Sequence, residues 1–125
     1  IYMKTMKNVK LENTLHKMLE MLMIIKMYHW KTNSYSSHKA TDHLYSSLNE
    51  HMDKFVEIWL GKTNKKLNAQ MNISVTYVSN KTKLSSKVKL FIQHLEGLQL
   101  DSDLLTVRDD IVGELNQFLY LLTFK

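Results

Sequence analysis

Residues 11–25, with the sequence LENTLHKMLEMLMII, have the apolar spacing of a long helix. Five of them recur at alternating four- and three-residue steps: Leu11, Leu15, Met18, Leu22 and Ile25. Residues at these steps lie on one face of an α-helix. Met21, Met23 and Ile24 widen that face, so we predict a first helix over about residues 9–31 that is buried on more than one side.

Three further helices are predicted downstream. The second begins with Ser36 or Ser37 as its N-cap and runs to about Trp59, with Gly61 as its stop. The third begins near residues 85–86, and the fourth follows a cap at residues 101–103. The apolar faces are Leu44, Leu48, Phe55 and Ile58 in the second helix, Leu84, Val88, Phe91, Ile92, Leu95 and Leu98 in the third, and Leu104, Ile111, Leu115, Phe118 and Leu122 in the fourth.

The connection between the second and third helices, residues 62–83, is long and polar, and its segment Ile73–Val78 has strand-like, β-branched character. A connection this long in a compact domain either crosses from one end of a bundle to the other or serves an interface. The chain of 125 residues is therefore predicted to be one all-α domain, residues 1–125, folded as a four-helix bundle with one long crossover between helices two and three.

Composition excludes several classes of protein. The absence of proline and the presence of only three glycines disfavour β-sandwiches and barrels, which need frequent turns. The absence of cysteine excludes disulfides and thiolate metal sites. No apolar run is long enough to span a bilayer, so no membrane partner is expected.

The net charge of +5 is carried by lysine, because Arg108 is the only arginine among seventeen basic residues. Arginine is the usual reader of base edges, so sequence-specific DNA recognition is disfavoured. Non-specific attraction to DNA remains open, with Lys4, Lys7 and Lys10 as a candidate basic face.

The second helix carries four potential metal ligands: His38, Asp42, Asp53 and Glu57. On an ideal helix they lie within about 100° of one another around the axis. His38 and Glu57 are nevertheless about 28 Å apart along it, too far to share an ion. The alternative interpretation, a solvated acidic helix face without a task, stays open at this point.

Two antiparallel copies of the helix, packed across a two-fold axis near residues 47–48, would bring the ligands together. His38 and Asp42 of one chain would then meet Asp53 and Glu57 of the other, giving two identical sites. Tyr45 and Asn49 would lie near the axis, and His29 at the end of helix one could complete each site. Imidazole and carboxylate together suit iron, with zinc or manganese as substitutes.

The motif Tyr28-His29-Trp30, then His38-x-x-x-Asp42, then Asp53-x-x-x-Glu57 resembles that of the Dps family of miniferritins. In that family His-Trp and a short linker precede His-x3-Asp, and ten residues separate this from Asp-x3-Glu. The resemblance covers about residues 11–60, and Trp30 corresponds to the family tryptophan beside the centre. The linker between His29 and His38 is shorter here than in the family.

The resemblance implies a ferritin-like bundle with a ferroxidase centre, mono-iron or di-iron, shared between two subunits. His29, His38 and Asp42 would come from one subunit and Asp53 and Glu57 from its partner. It also implies oxidation of iron(II) by hydrogen peroxide or oxygen, and a dodecameric shell that stores iron and protects DNA. The expected location is the cytoplasm, with nucleoid association or packaging with DNA possible. The rival interpretation is a non-enzymatic structural or DNA-packaging protein that keeps the bundle and dimer.

Overall fold

The computed structural model describes residues 2–67 and 70–125, and side chains from residue 11 onward. Its four helices are α1 (Tyr2–Lys31), α2 (Tyr35–Thr63), α3 (Lys81–Glu96) and α4 (Ser102–Leu121). No strand occurs within the described ranges. The prediction of an all-α four-helix bundle is confirmed.

Each helix packs against two others, in a ring of four neighbouring pairs. α1 packs against α2 and α3, and α4 packs against the same two helices. The apolar faces predicted from the spacing form the core, with Leu48, Phe55, Val88, Ile111 and Leu115 each fully buried. Ile58 is half-buried at the edge of that core.

The ends of α2 differ from the prediction. Its N-cap is Ser34, whose backbone is extended and whose hydroxyl accepts a hydrogen bond from the Ser37 amide at 3.3 Å. At the other end the helix continues through Gly61 to Thr63, and Asn64 closes it in the left-handed conformation with φ of 53°. Asparagine tolerates this conformation better than most residues, so it terminates the helix where a glycine was expected.

α3 begins four residues earlier than predicted. Asn80 is its N-cap, and the Asn80 amide oxygen accepts a hydrogen bond from the Lys83 backbone at 2.9 Å. The serines at residues 85–86 lie inside the helix instead. The cap predicted for α4 is confirmed, because Asp101 is its N-cap.

The segment that links α2 to α3 contains no strand in its described part, contrary to the β-branched pattern of Ile73–Val78. Instead Ile73 and Val75 are half-buried and Val78 is buried, so the segment packs against the helices without a partner strand. Its Asn72 carbonyl accepts a hydrogen bond from the His16 ring at 3.0 Å, which ties it to α1.

Contacts at the two ends of the bundle set the directions of the helices. At one end the Ser36 hydroxyl donates to the Phe124 carbonyl at 3.3 Å, so the start of α2 lies beside the end of α4. At the other end Lys62 pairs with Asp103 at 3.2 Å, so the end of α2 lies beside the start of α4. α2 and α4 are therefore antiparallel.

Candidate metal site on the second helix

His29 and His38 stack on each other where α1 turns into α2. Their ring centroids are 3.9 Å apart and their planes are inclined by 19°. The short turn at residues 32–34 brings the last turn of α1 against the first turn of α2, and this places the two rings together. The structure therefore joins two of the five predicted ligands within one chain.

Reciprocal hydrogen bonds hold the two imidazoles in place. The His29 Nδ1 donates to the His38 carbonyl at 2.9 Å, and the His38 Nδ1 donates to the His29 carbonyl at 3.0 Å. A carbonyl oxygen only accepts, so each Nδ1 must carry the proton. In the neutral rings both Nε2 atoms then keep a free lone pair, which is the arrangement usual for metal-binding histidine.

Thr41 supports the His29 ring from inside the bundle. It is fully buried, and its hydroxyl donates to the Ser37 carbonyl at 2.8 Å. The same oxygen accepts from the His29 Nδ1 at 3.1 Å. Sequence analysis missed this residue, although a threonine on the inward side of the helix, three positions after His38, was a usable signal.

The three predicted carboxylate ligands, Asp42, Asp53 and Glu57, are all exposed along α2. These three side chains therefore do not contribute to the bundle core. Within one chain, Asp53 and Glu57 lie more than about 20 Å along the helix from His38. Among residues 2–67 and 70–125, no group of three or more histidine or acidic side chains is close enough to hold a metal ion.

Aromatic and cationic groups flank the histidine pair. The Lys26 ammonium lies 4.4 Å from the centroid of the Tyr45 ring and 5.8 Å from that of Trp30. Tyr45 is half-buried, whereas Trp30 is 72% exposed. Because the Lys26 ammonium lies near both rings, Trp30 is on the same side of the α1–α2 pair as Tyr45.

An exposed apolar stripe on α1 was also missed. Met23, predicted to be buried, is 43% exposed. It belongs to a stripe at steps of four, four and three residues: Leu19, Met23, Met27 and Trp30. The helical spacing of this stripe is visible in the sequence. The sequence does not show, however, whether an apolar residue at the edge of a helical face is buried by its own chain.

Two histidines outside the predicted ligand set have partners of their own. The His94 ring is 2.8 Å from the hydroxyl of buried Thr14. His43 lies 3.6 Å from Glu114 on the face between α2 and α4. Neither belongs to the face that carries Asp42 and Asp53. The side chains of Lys4, Lys7 and Lys10 lie outside the described residues.

No described helix has the length and apolarity needed to cross a membrane. No curated protein and no solved structure shows significant similarity to the chain. One family model does match, over residues 29–122, a range that contains all five predicted ligands. That model is described as a family of unknown function (DUF5856), and the chain belongs to this family.

Proposed function

We propose that the protein is a Dps-like miniferritin, which binds and oxidises iron(II) at two sites shared between antiparallel second helices of a homodimer. The observation that carries the proposal is the stacked pair of His29 and His38. Their Nδ1 protons are held by backbone carbonyls, which leaves the Nε2 of each neutral ring as a possible metal ligand.

The connectivity supports a ferritin-like arrangement. α2 and α4 are antiparallel, and α4 follows α3 after a short turn at residues 97–101. In this arrangement α3 runs parallel to α2, and residues 64–80 form the long crossover that returns the chain to the opposite end. The contact of Lys31 with the Tyr77 ring, at 4.4 Å, supports such a path along α1.

The proposed dimer also explains two features of the α1–α2 surface. The exposed carboxylates Asp53 and Glu57 gain the imidazoles of the partner as neighbours, and the positive charge of iron(II) bound between them would offset the repulsion between the two carboxylates. The stripe of Leu19, Met23, Met27 and Trp30 becomes buried, as contiguous exposed apolar patches usually are in an interface.

In this site the residues of the chain bind and position the substrate. His29, His38 and Asp42 of one chain, with Asp53 and Glu57 of the partner, bind iron(II). Each of two iron(II) ions gives one electron to hydrogen peroxide, the O–O bond breaks, and two protons are taken up to give two waters. Because the electrons are taken in a pair, hydroxyl radical is not released. Iron(III) would then be stored in a dodecameric shell in the cytoplasm.

The test is peroxide-driven oxidation of iron(II), followed by the absorbance of iron(III). The wild-type protein and the His43→Ala control should oxidise rapidly, whereas His38→Ala should lose rapid oxidation. Both histidines are exposed on α2, but only His38 lies in the proposed site. Equal rates for His38→Ala and His43→Ala, or iron-soaked crystals without metal between antiparallel second helices, would contradict the proposal.

A second candidate function, packaging of DNA, is supported by the distribution of charge. Among the described side chains, α1 and α3, which are neighbours, carry seven lysines and three glutamates. α2 and α4 carry four basic and eight acidic residues. One side of the bundle is therefore basic and the opposite side acidic. A basic side of this kind attracts the DNA backbone without regard to sequence.

This candidate is tested by comparing two double variants. Lys83 and Lys89 are exposed on α3, and Lys39 and Lys54 are exposed on α2. Changing the first pair to glutamine should weaken DNA binding and reduce the slope of log affinity against log salt by about 1.8. The second pair should leave both unchanged. Binding that prefers one duplex sequence at raised salt would count against packaging.

A further inference from the structure

The end of the bundle where α2 begins and α4 ends carries exposed aromatic rings. Tyr35, Tyr120 and Phe124 are 73%, 63% and 46% exposed. The Tyr120 and Phe124 rings meet edge to face, with their centroids 5.2 Å apart. An aromatic side chain that becomes buried removes about 150–250 Å² of surface from water. Several exposed rings at one place therefore indicate a surface that binds a ligand.

The same end of the bundle is basic. Three stretches of the chain form it: residues 31–41, 76–83 and 115–125. None of them contains an aspartate or a glutamate, and together they contain five lysines: Lys31, Lys39, Lys81, Lys83 and Lys125. The Lys31 ammonium lies 4.4 Å from the centroid of the Tyr77 ring, and the Lys39 ammonium lies 5.9 Å from that of Tyr35. Each of these two cations therefore lies beside an exposed ring.

A groove of about 340 Å³ opens between the start of α2 and the end of α4. Tyr35, Lys39 and Ala40 line it from α2, and Leu121 and Phe124 line it from the other side. Cavities of about 150 Å³ hold benzene, so this groove has room for a flat aromatic ring that carries polar substituents. The groove therefore combines rings that can stack on a ligand with a cation at its edge.

The Phe124 side of the groove is held in place by hydrogen bonds of its backbone. The Phe124 carbonyl accepts from the Ser36 hydroxyl at 3.3 Å and from the Lys81 ammonium at 2.5 Å. The Phe124 amide donates to the Leu121 carbonyl at 3.1 Å, which closes a turn after α4. These bonds join the turn to α2 and α3, so the backbone that carries the Phe124 ring needs little ordering when a ligand binds.

We infer that this end of the bundle binds single-stranded nucleic acid. An unpaired base lies in the groove against the Tyr35 and Phe124 rings, and the flanking phosphates contact Lys39 and Lys125. In a single strand the faces of the bases are free to stack on aromatic side chains, whereas in a duplex they are stacked on one another. The exposed rings therefore favour a single strand, because lysines alone would suffice to attract a duplex.

This site is separate from the iron site and from the surface proposed for duplex packaging. Stacking on aromatic rings tolerates any base, so the site does not need the arginines that this chain lacks. Duplex packaging draws on the lysines of α1 and α3, whereas this groove uses Lys39 of α2. Lys39→Gln should therefore weaken the binding of a single strand and leave the binding of a duplex unchanged.

The experiment measures the fluorescence anisotropy of a labelled oligothymidylate of about 16 nucleotides. Tyr35→Ala should weaken binding by about 5- to 150-fold, which is the usual effect of losing one stacked base. It should leave the slope of log affinity against log salt unchanged, whereas Lys39→Gln should reduce that slope by about 0.7. Tyr35→Phe keeps the ring and should bind like wild type. The control is Leu90→Ala, which removes a side chain that is 62% exposed on α3 and should also bind like wild type.

The inference is overturned if Tyr35→Ala and Phe124→Ala, both folded by circular dichroism, bind the oligothymidylate as tightly as wild type. It is also overturned if a duplex of the same length binds more tightly than the single strand. Vesicles that contain phosphatidylserine test the same rings against a lipid surface. Binding to these vesicles that Tyr35→Ala abolishes, without binding to the oligonucleotide, would assign the surface to a membrane instead. An oligouridylate in the same assay distinguishes RNA from DNA, and the tighter of the two strands must lose affinity in Tyr35→Ala.

Discussion

The sharing of ligands between chains can be tested by mixing two inactive variants. His38→Ala removes an imidazole from the first half of the site, and Asp53→Asn removes an ionised oxygen donor from the second half. Both side chains are exposed and lie off the core-facing stripe. The free energy of unfolding of Asp53→Asn should therefore stay within about 0.5 kcal/mol of wild type. His38→Ala also loses the hydrogen bond to the His29 carbonyl and the ring contact, so it should be less stable by about 0.5–1.5 kcal/mol and remain folded.

The two-fold axis fixes how much activity returns on mixing. A heterodimer of the two variants has one site with both defects and one site with neither. Purified heterodimer should recover about half the wild-type rate, and an equal mixture that exchanges at random should recover about a quarter, if the two sites act independently.

The assay follows iron(II) oxidation by stopped-flow absorbance before and after subunit exchange. Each variant alone is the baseline, and a mixture of His38→Ala with wild type controls for exchange itself. If mass spectrometry shows that heterodimers form while the rate stays at baseline, the ligands of a site come from one chain and the shared-site reasoning is refuted.

Thr41, Gly61 and Lys62 each provide a further test of the structure. Thr41→Val should lower the free energy of unfolding by about 1 kcal/mol and weaken iron binding, because the buried hydroxyl joins Ser37 and His29. The free energy is measured by urea titration, and the control is Thr106→Val, which loses an exposed hydrogen bond from a threonine hydroxyl to a helix carbonyl. Gly61→Ala should raise stability by about 0.5–1 kcal/mol, because the helix passes through an open position there, and an unchanged urea midpoint would contradict this. Hydrogen bonds to Asp103 and Asp101 hold the pKa of Lys62 above its usual 10.5. Wild type should therefore have a higher Tm than Lys62→Gln at neutral pH, and this difference should vanish only as the pH rises through the raised pKa.

The core could be predicted from the sequence because burial follows the helical period. Leu15, Met18 and Leu22 recur at that period and are buried as expected. The prediction that Met23 is buried was wrong, because this residue lies at the edge of the apolar face. The period of a pattern identifies a face, but it contains no information on how far around the helix the neighbouring helices reach.

Helix ends were harder to predict because several residues competed for each cap. Three serines compete at the start of α2, and Ser34 is the one whose backbone is extended. At the start of α3, Asn80 and the serines at residues 85–86 are all suitable N-cap residues, and Asn80 is the one whose backbone is extended. A cap depends on the conformation of one residue, which composition does not determine.

The candidate site was predicted as a set of residue types on one face of α2, and the structure leaves His38, Asp42, Asp53 and Glu57 exposed there. The orientation of the imidazoles was beyond prediction. It depends on the backbone carbonyls of His29 and His38, whose positions follow from how tightly the chain turns at residues 32–34.

The connections divide the chain into two helical hairpins, α1 with α2 and α3 with α4, each closed by a short turn. Contacts between α2 and α4 and between α1 and α3 join the hairpins, while residues 64–80 tether them. Each hairpin can form from local contacts, whereas docking requires closure of a longer loop. A chain cut within the tether should therefore persist as a non-covalent complex of two fragments, and an intact chain at high concentration could exchange hairpins with a neighbour.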